Sequence, residues 1–169
     1  MSVSAERVVV FSHGKDSEPW GTKIVALAEV ARSAGYRVES IDYRGINTVE
    51  GRLDKLRASC RSLPPSPVLV GSSLGSFLSA AASIDVGARG LFLMAPAFEL
   101  PGLPPTPDVA RCPTVAVHGW RDEIVPVEIA IAFARAQAAS LYLVDDDHRL
   151  HASLPRIASW LRDFLGALE

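Results

Sequence analysis

Hydrophobic residues in this chain fall into two rhythms. Unbroken apolar runs over Val8-Val9-Val10-Phe11, Val68-Leu69-Val70-Gly71, Gly90 to Ala95, Thr114 to Gly119 and Leu141 to Val144 predict buried strands, and a further strand is expected over Tyr36 to Tyr43. Continuous rather than alternating apolar character is what a parallel strand covered on both faces requires. Between the runs, apolar positions recur at helical spacing. Ile24, Leu27, Ala28 and Ala31 share one face of a helix expected from about Pro19 to Ala34, with proline suited to a first turn and Gly35 to the position past the end. Leu53, Leu56 and Cys60 do the same in Val49 to Leu63, where prolines follow. Helices are also expected over Gly75 to Ile84, Val127 to Ala138 and Leu154 to Leu168.

This β–α alternation implies one parallel sheet with helices on both faces and right-handed crossovers. The expected fold class is α/β, a three-layer sandwich with about six parallel strands. No repeat or composition shift divides it, so 1–169 reads as a single domain. Pro101 to Pro113 carries five prolines and no helical period, and reads as a loop. In open parallel sheets, ligands bind beyond the carboxyl ends of the strands. That rule selects the loops holding Lys15, Ser73, Glu99, Asp122 and His148.

Composition narrows the function classes. The chain is 49% hydrophobic and 21% charged, which suits a globular core and argues against disorder. A net charge of −2 with no long basic run offers no footing for nucleic acid. No segment approaches the roughly 18 apolar residues of a membrane span. Met1 to Arg7 is short and polar, and Val8 to Phe11 is too brief for a secretion signal, so a cytoplasmic location is expected. Cys60 and Cys112 lie far apart without metal-type spacing and read as free thiols.

The chemistry centres on Gly71-Ser72-Ser73-Leu74-Gly75, a G-x-S-x-G pattern between a strand and a helix. In such a turn, the residues two before and two after the serine have no room for a Cβ. The serine is strained, its hydroxyl projects, and a helix N-terminus favours negative charge beside it. A plain glycine-rich connection would carry the same letters, so partners decide. A serine hydroxyl needs a base, usually a histidine held by a carboxylate. His13 and His118 precede glycines at strand ends and read as structural residues turned away from a common centre, and His151 reads as solvated. His148, after the last strand, is the candidate base. Asp122, after the fifth strand, is the candidate acid, although an aspartate there could equally cap a helix or close a turn. Glu99 is the alternative acid, and Asp145 to Asp147 read as a solvated turn.

Four motifs together resemble a small α/β-hydrolase over nearly the whole chain. They are Phe11-Ser12-His13-Gly14-Lys15, Gly71-Ser72-Ser73-Leu74-Gly75, Val117-His118-Gly119-Trp120-Arg121-Asp122-Glu123-Ile124-Val125-Pro126 and Asp147-His148-Arg149-Leu150. The chain order Ser73, Asp122, His148 is that family's order. The resemblance implies a minimal fold without a cap domain, strand order 2-1-3-4-5-6, Ser73 as nucleophile, His148 as base and Asp122 as its orienting acid. It further implies an oxyanion hole from the N–H of Leu74 and a second donor, Lys15 or Gly14. The first loop departs from the H-G-G-G of many lipases, and two family strands are missing. No metal or organic cofactor is implied. A small-molecule ester is the expected substrate, with Trp20, Phe98 and Trp120 as possible pocket residues. A thioesterase, a small peptidase or a non-catalytic binding protein on the same fold are the alternatives.

Overall fold

The computed structural model describes residues 5–169. Residues 1–4, the start of the polar stretch before the first strand, lie outside them. Six strands and five helices alternate along the chain: β1 (Val8–Ser12), α1 (Thr22–Ser33), β2 (Arg37–Ile41), α2 (Val49–Arg61), β3 (Val68–Ser72), α3 (Leu74–Ala82), β4 (Gly90–Met94), β5 (Thr114–Gly119), α4 (Val127–Gln137), β6 (Ser140–Val144) and α5 (Leu154–Ala167). All pairings are parallel, in the order β2-β1-β3-β4-β5-β6.

Successive strand side chains point to opposite faces, and this divides the core in two. Val9, Phe11, Val68, Val70, Phe92, Met94 and Val117 pack under α1 and α5. Val8, Val10, Leu69, Leu91 and Leu93 pack under α2, α3 and α4. Both faces of the central strands are thereby removed from water, which is why their sequences are unbroken apolar runs. Among the described residues, no helix is long and apolar enough to cross a membrane.

Several boundaries differ from the sequence expectation for local reasons. Helix α1 begins at Thr22, not Pro19, because Glu18 to Gly21 close a turn (Gly21 N–H to Glu18 O, 3.4 Å) before the helical pattern starts. Tyr36 and Tyr43 lie outside β2. The N–H of Tyr43 donates to the His13 ring at 3.0 Å instead of joining the ladder. The proline-rich 101–113 segment contains no helix or strand, as expected.

Candidate active site

The turn between β3 and α3 holds a strained backbone. Ser73 has φ 55° and ψ −118°, a region that costs a non-glycine residue on the order of 1–3 kcal/mol. The flanking glycines make it possible. A Cβ on Gly71 would stand 2.3 Å from the carbonyl oxygen of Gly75, and one on Gly75 would stand 1.9 Å from that of Ser12 in β1. Neighbouring backbone holds the strained residue: Ser73 N–H donates to Met94 O at 2.9 Å, and its carbonyl accepts from Ser76 N–H at 2.9 Å.

His148 stands over this serine. Its Nε2 lies 2.9 Å from Ser73 Oγ, and its Nδ1 lies 2.7 Å from Asp122 Oδ2. The three residues come from three loops at the carboxyl edge of the sheet, and the fold brings them into one hydrogen-bonded chain. Asp122 is buried, and desolvation alone would push its pKa up. Hydrogen bonds from His148 and from the N–H groups of Val125 and Ile124 outweigh that, so the carboxyl stays below its ordinary range. The carboxylate is therefore charged and keeps the Nδ1 proton of His148 directed at it.

The β5 and β6 loops are stitched together beyond the ends of their strands. Trp120 N–H donates to Val144 O at 2.8 Å, and Arg121 N–H to Asp146 O at 3.0 Å. Gly119 lets them close, since a Cβ there would stand 2.3 Å from Asp146 O. Asp146, expected in a solvated turn, is instead buried. Its carboxylate accepts from Asp147 N–H and Ser153 N–H, both at 2.8 Å, tying the His148 loop to the start of α5. From α1, Lys23 Nζ donates to Arg149 O at 3.1 Å. His118 corrects a second expectation. Though buried and structural, it is not turned away: its Nε2 donates to Val125 O at 2.9 Å and stands 3.3 Å from Asp122 Oδ2.

No protein-family model and no curated protein matches the chain. Solved structures do. A proposed hydrolase of the alpha/beta superfamily from Xanthomonas campestris pv. campestris superposes with a TM-score of 0.90 at 36% identity, over 97% of this chain and 99% of that one. The chain belongs to the alpha/beta hydrolase superfamily. Two further structures share the fold at 19% identity. One is a serine hydrolase without a lid from Xanthomonas campestris, with a TM-score of 0.76 over 96% of this chain and 82% of that one. The other is a thermophilic esterase from Thermogutta terrifontis, with a TM-score of 0.76 over 97% and 91%.

Within this alpha/beta hydrolase, the remaining expected residues separate into those near Ser73 and those elsewhere. Leu74 opens α3, where the first-turn N–H groups have no partner within the helix. Gly14 lies against the serine: an added Cβ on it would stand 3.6 Å from Ser73 Cβ. Lys15 follows it with an exposed side chain. Trp120 is 55% exposed beside Asp122, and so is Ile124 at 61%, an apolar rim residue that the sequence reading passed over.

Other expectations are displaced. Phe98 is 0% exposed and packs against Phe77 and Phe133 at ring distances of 6.2 and 4.7 Å, so it is a core residue rather than one at an open mouth. Trp20 is exposed before α1, its ring 5.6 Å from the guanidinium carbon of Arg32 in the last turn of that helix. Glu99 accepts hydrogen bonds from the N–H and hydroxyl of Thr106 and closes the proline-rich loop on itself, and these bonds lower its pKa. It does not reach His148. Cavities of about 490 and 370 Å³ lie elsewhere, one beside Arg7, Arg89 and Glu169 and one between β2 and α2. Here chemistry rather than cavity size marks the candidate site.

Proposed function

We propose that this protein is a serine hydrolase that cleaves small or short-acyl carboxylic esters through an acyl-enzyme. The observation that carries the reading is the unbroken relay from Ser73 Oγ through His148 to a charged, buried Asp122. His148 Nε2 takes the serine proton as Oγ attacks the ester carbonyl carbon. The resulting oxyanion is received by the N–H of Leu74 and a second donor from the 14–15 segment. The imidazolium returns that proton to the alcohol as the C–O bond breaks, leaving acyl-Ser73. Water then attacks with His148 again as base, and the carboxylic acid departs as the serine regains its proton. Asp122 orients the ring throughout without taking a proton.

An ester of modest size suits the mouth. The segment between β4 and β5 is a short proline-rich loop rather than a helical cap, and the exposed apolar residues beside Asp122 are few. The esterase of Thermogutta terrifontis shares the fold. The test is a series of p-nitrophenyl esters of increasing acyl length, with thioesters and aminoacyl amides alongside. The reading expects kcat/KM to be highest for short acyl esters. A maximum on thioesters, amides or long-chain esters contradicts the substrate class, and no turnover of any of them contradicts the enzyme reading.

A further inference from the structure

Behind Gly14 and Lys15 lies a buried cation that no acid neutralises. Arg52, on α2, is 7% exposed, and among the described residues it joins no salt bridge. Its guanidinium is spent on carbonyl oxygens: Nε donates to Ile46 O at 2.8 Å, Nη2 to Lys15 O at 3.1 Å and Nη1 to Gly14 O at 3.5 Å. The Tyr43 ring covers it, with the guanidinium carbon 5.7 Å from the ring centre. Burying a charge without a counter-charge is expensive, and a well-packed apolar side chain would fill the same space at lower cost. Such a residue marks something besides packing.

A second side chain, that of His13, also holds the Gly14 carbonyl. His13 donates from Nδ1 to Gly14 O at 2.8 Å, and its Nε2 accepts the Tyr43 N–H at 3.0 Å. Both ring nitrogens are thus committed, and the imidazole is neutral. The Tyr43 hydroxyl meets Ser12 Oγ at 2.7 Å. Arg52 and His13 therefore hold the Gly14 carbonyl from one side. Peptide bonds among the described residues are trans, so the N–H of Lys15 points opposite to the Gly14 carbonyl and away from Arg52. Ser73 lies against Gly14.

We propose that Arg52 is a positioning residue for the oxyanion hole: it fixes the Gly14–Lys15 peptide so that the Lys15 N–H receives the oxyanion, and it sets a positive charge behind that peptide. The inference rests on the acyl-transfer reading above. In the resting protein the cation lacks a negative partner, and the tetrahedral oxyanion supplies one. Stabilisation is thereby concentrated in the transition state rather than in substrate binding.

Steady-state kinetics with a trifluoromethyl ketone inhibitor, which binds serine hydrolases as a hemiketal oxyanion, test this. Folded Arg52→Met should lose about tenfold to a hundredfold in kcat with KM changed by less than about twofold, because a mis-aimed donor forfeits part of an oxyanion contact. Inhibitor affinity should fall by the same factor as kcat/KM, which a merely structural residue would not produce. Arg52→Lys, which keeps the charge but not the fork, should fall between Met and wild type. Wild-type kcat in folded Arg52→Met, or a loss carried by KM, overturns the proposal. Should Arg52→Met not fold, the wild-type protein decides by amide NMR. The Lys15 and Leu74 amide protons should both move downfield on inhibitor binding, and movement of Leu74 alone overturns it. An inhibitor that does not bind wild type at all overturns the acyl-transfer reading itself.

Discussion

Asp122 gives His148 only one of its two carboxylate oxygens. Oδ2 meets His148 Nδ1 at 2.7 Å, while Oδ1 accepts the N–H groups of Ile124 and Val125 at 2.9 and 2.8 Å. The sequence allows two readings of this aspartate, a turn-closing residue and the acid of a relay, and its contacts divide accordingly, one oxygen in the turn and the other at His148. The bonds to Oδ1 fix the carboxylate plane, and that aims Oδ2 at the histidine. His118 adds a second contact to Oδ2 from below.

This division predicts how the acid fails. Asp122→Asn keeps an oxygen for the Ile124 and Val125 N–H groups and presents an amide to His148, favouring the wrong tautomer. Turnover should fall by about 10⁴ while the melting temperature changes little. Glu99→Gln should stay near wild type, because Glu99 serves the Thr106 turn alone. Ester hydrolysis and thermal melts of both variants check the pair, and a dead Glu99→Gln beside an active Asp122→Asn would reverse the assignment.

The base is tested by two histidines three residues apart. His148→Ala should cost at least about a thousandfold in kcat, as loss of a general base in a triad does. His151, exposed and without a side-chain hydrogen bond among the described residues, should tolerate alanine within about twofold. Initial-rate measurements on the two variants distinguish them.

Glycines at the elbow should be irreplaceable where a distant one is not. Gly71→Ala and Gly75→Ala place a Cβ 2.3 and 1.9 Å from backbone oxygens, which no side-chain movement relieves. Both should fail to give folded protein. Gly166, in α5 with nothing within 4 Å of an added Cβ, should gain up to about 1 kcal/mol as alanine from helix propensity. Soluble yield and urea midpoints read out all three.

Stability should fall early on acidification because of His13. Burial lowers its pKa beneath the ordinary 6.5, and the charge of Arg52 adds to that. Unfolded chain therefore binds a proton that the folded chain resists. Its contribution is complete above pH 6.5 and is lost as pH falls from 6.5 toward the folded value, at up to about 1.4 kcal/mol per pH unit. Asp122 and Asp146, whose pKa values are lowered from 3.8, act in a separate window beginning near that value and extending below it. Urea midpoints at about pH 7.5 and 5.5 should drop in wild type and less in His13→Asn.

What could be read in the sequence was whatever local geometry forces into spacing. Two-face burial makes strands into apolar runs, and the elbow demands glycine at 71 and 75. Thus the parallel strands, the Ser73 elbow and the candidates Asp122 and His148 are legible in the residues themselves, whereas the strand order and the joining of the three residues into one assembly come from the family resemblance. Burial of single residues was not. Phe98, beside a proline-rich loop, looks like a mouth residue until Phe77 and Phe133 close over it. Asp146 is indistinguishable from Asp145 and Asp147 in the sequence, yet it alone of the three is buried. Arg52 does leave a signal in the sequence. It shares the helical face of Val49 and Leu56, and a charge inside an apolar stripe needs a buried partner.

The central claim is that Ser73 attacks. Intact-mass analysis after exposure to a fluorophosphonate, with peptide mapping, tests it most directly. Wild type should gain one adduct, located on Ser73. Ser73→Ala should gain none, and His148→Ala should react far more slowly. An unlabelled but folded wild type, or an adduct on any other residue, would contradict the account.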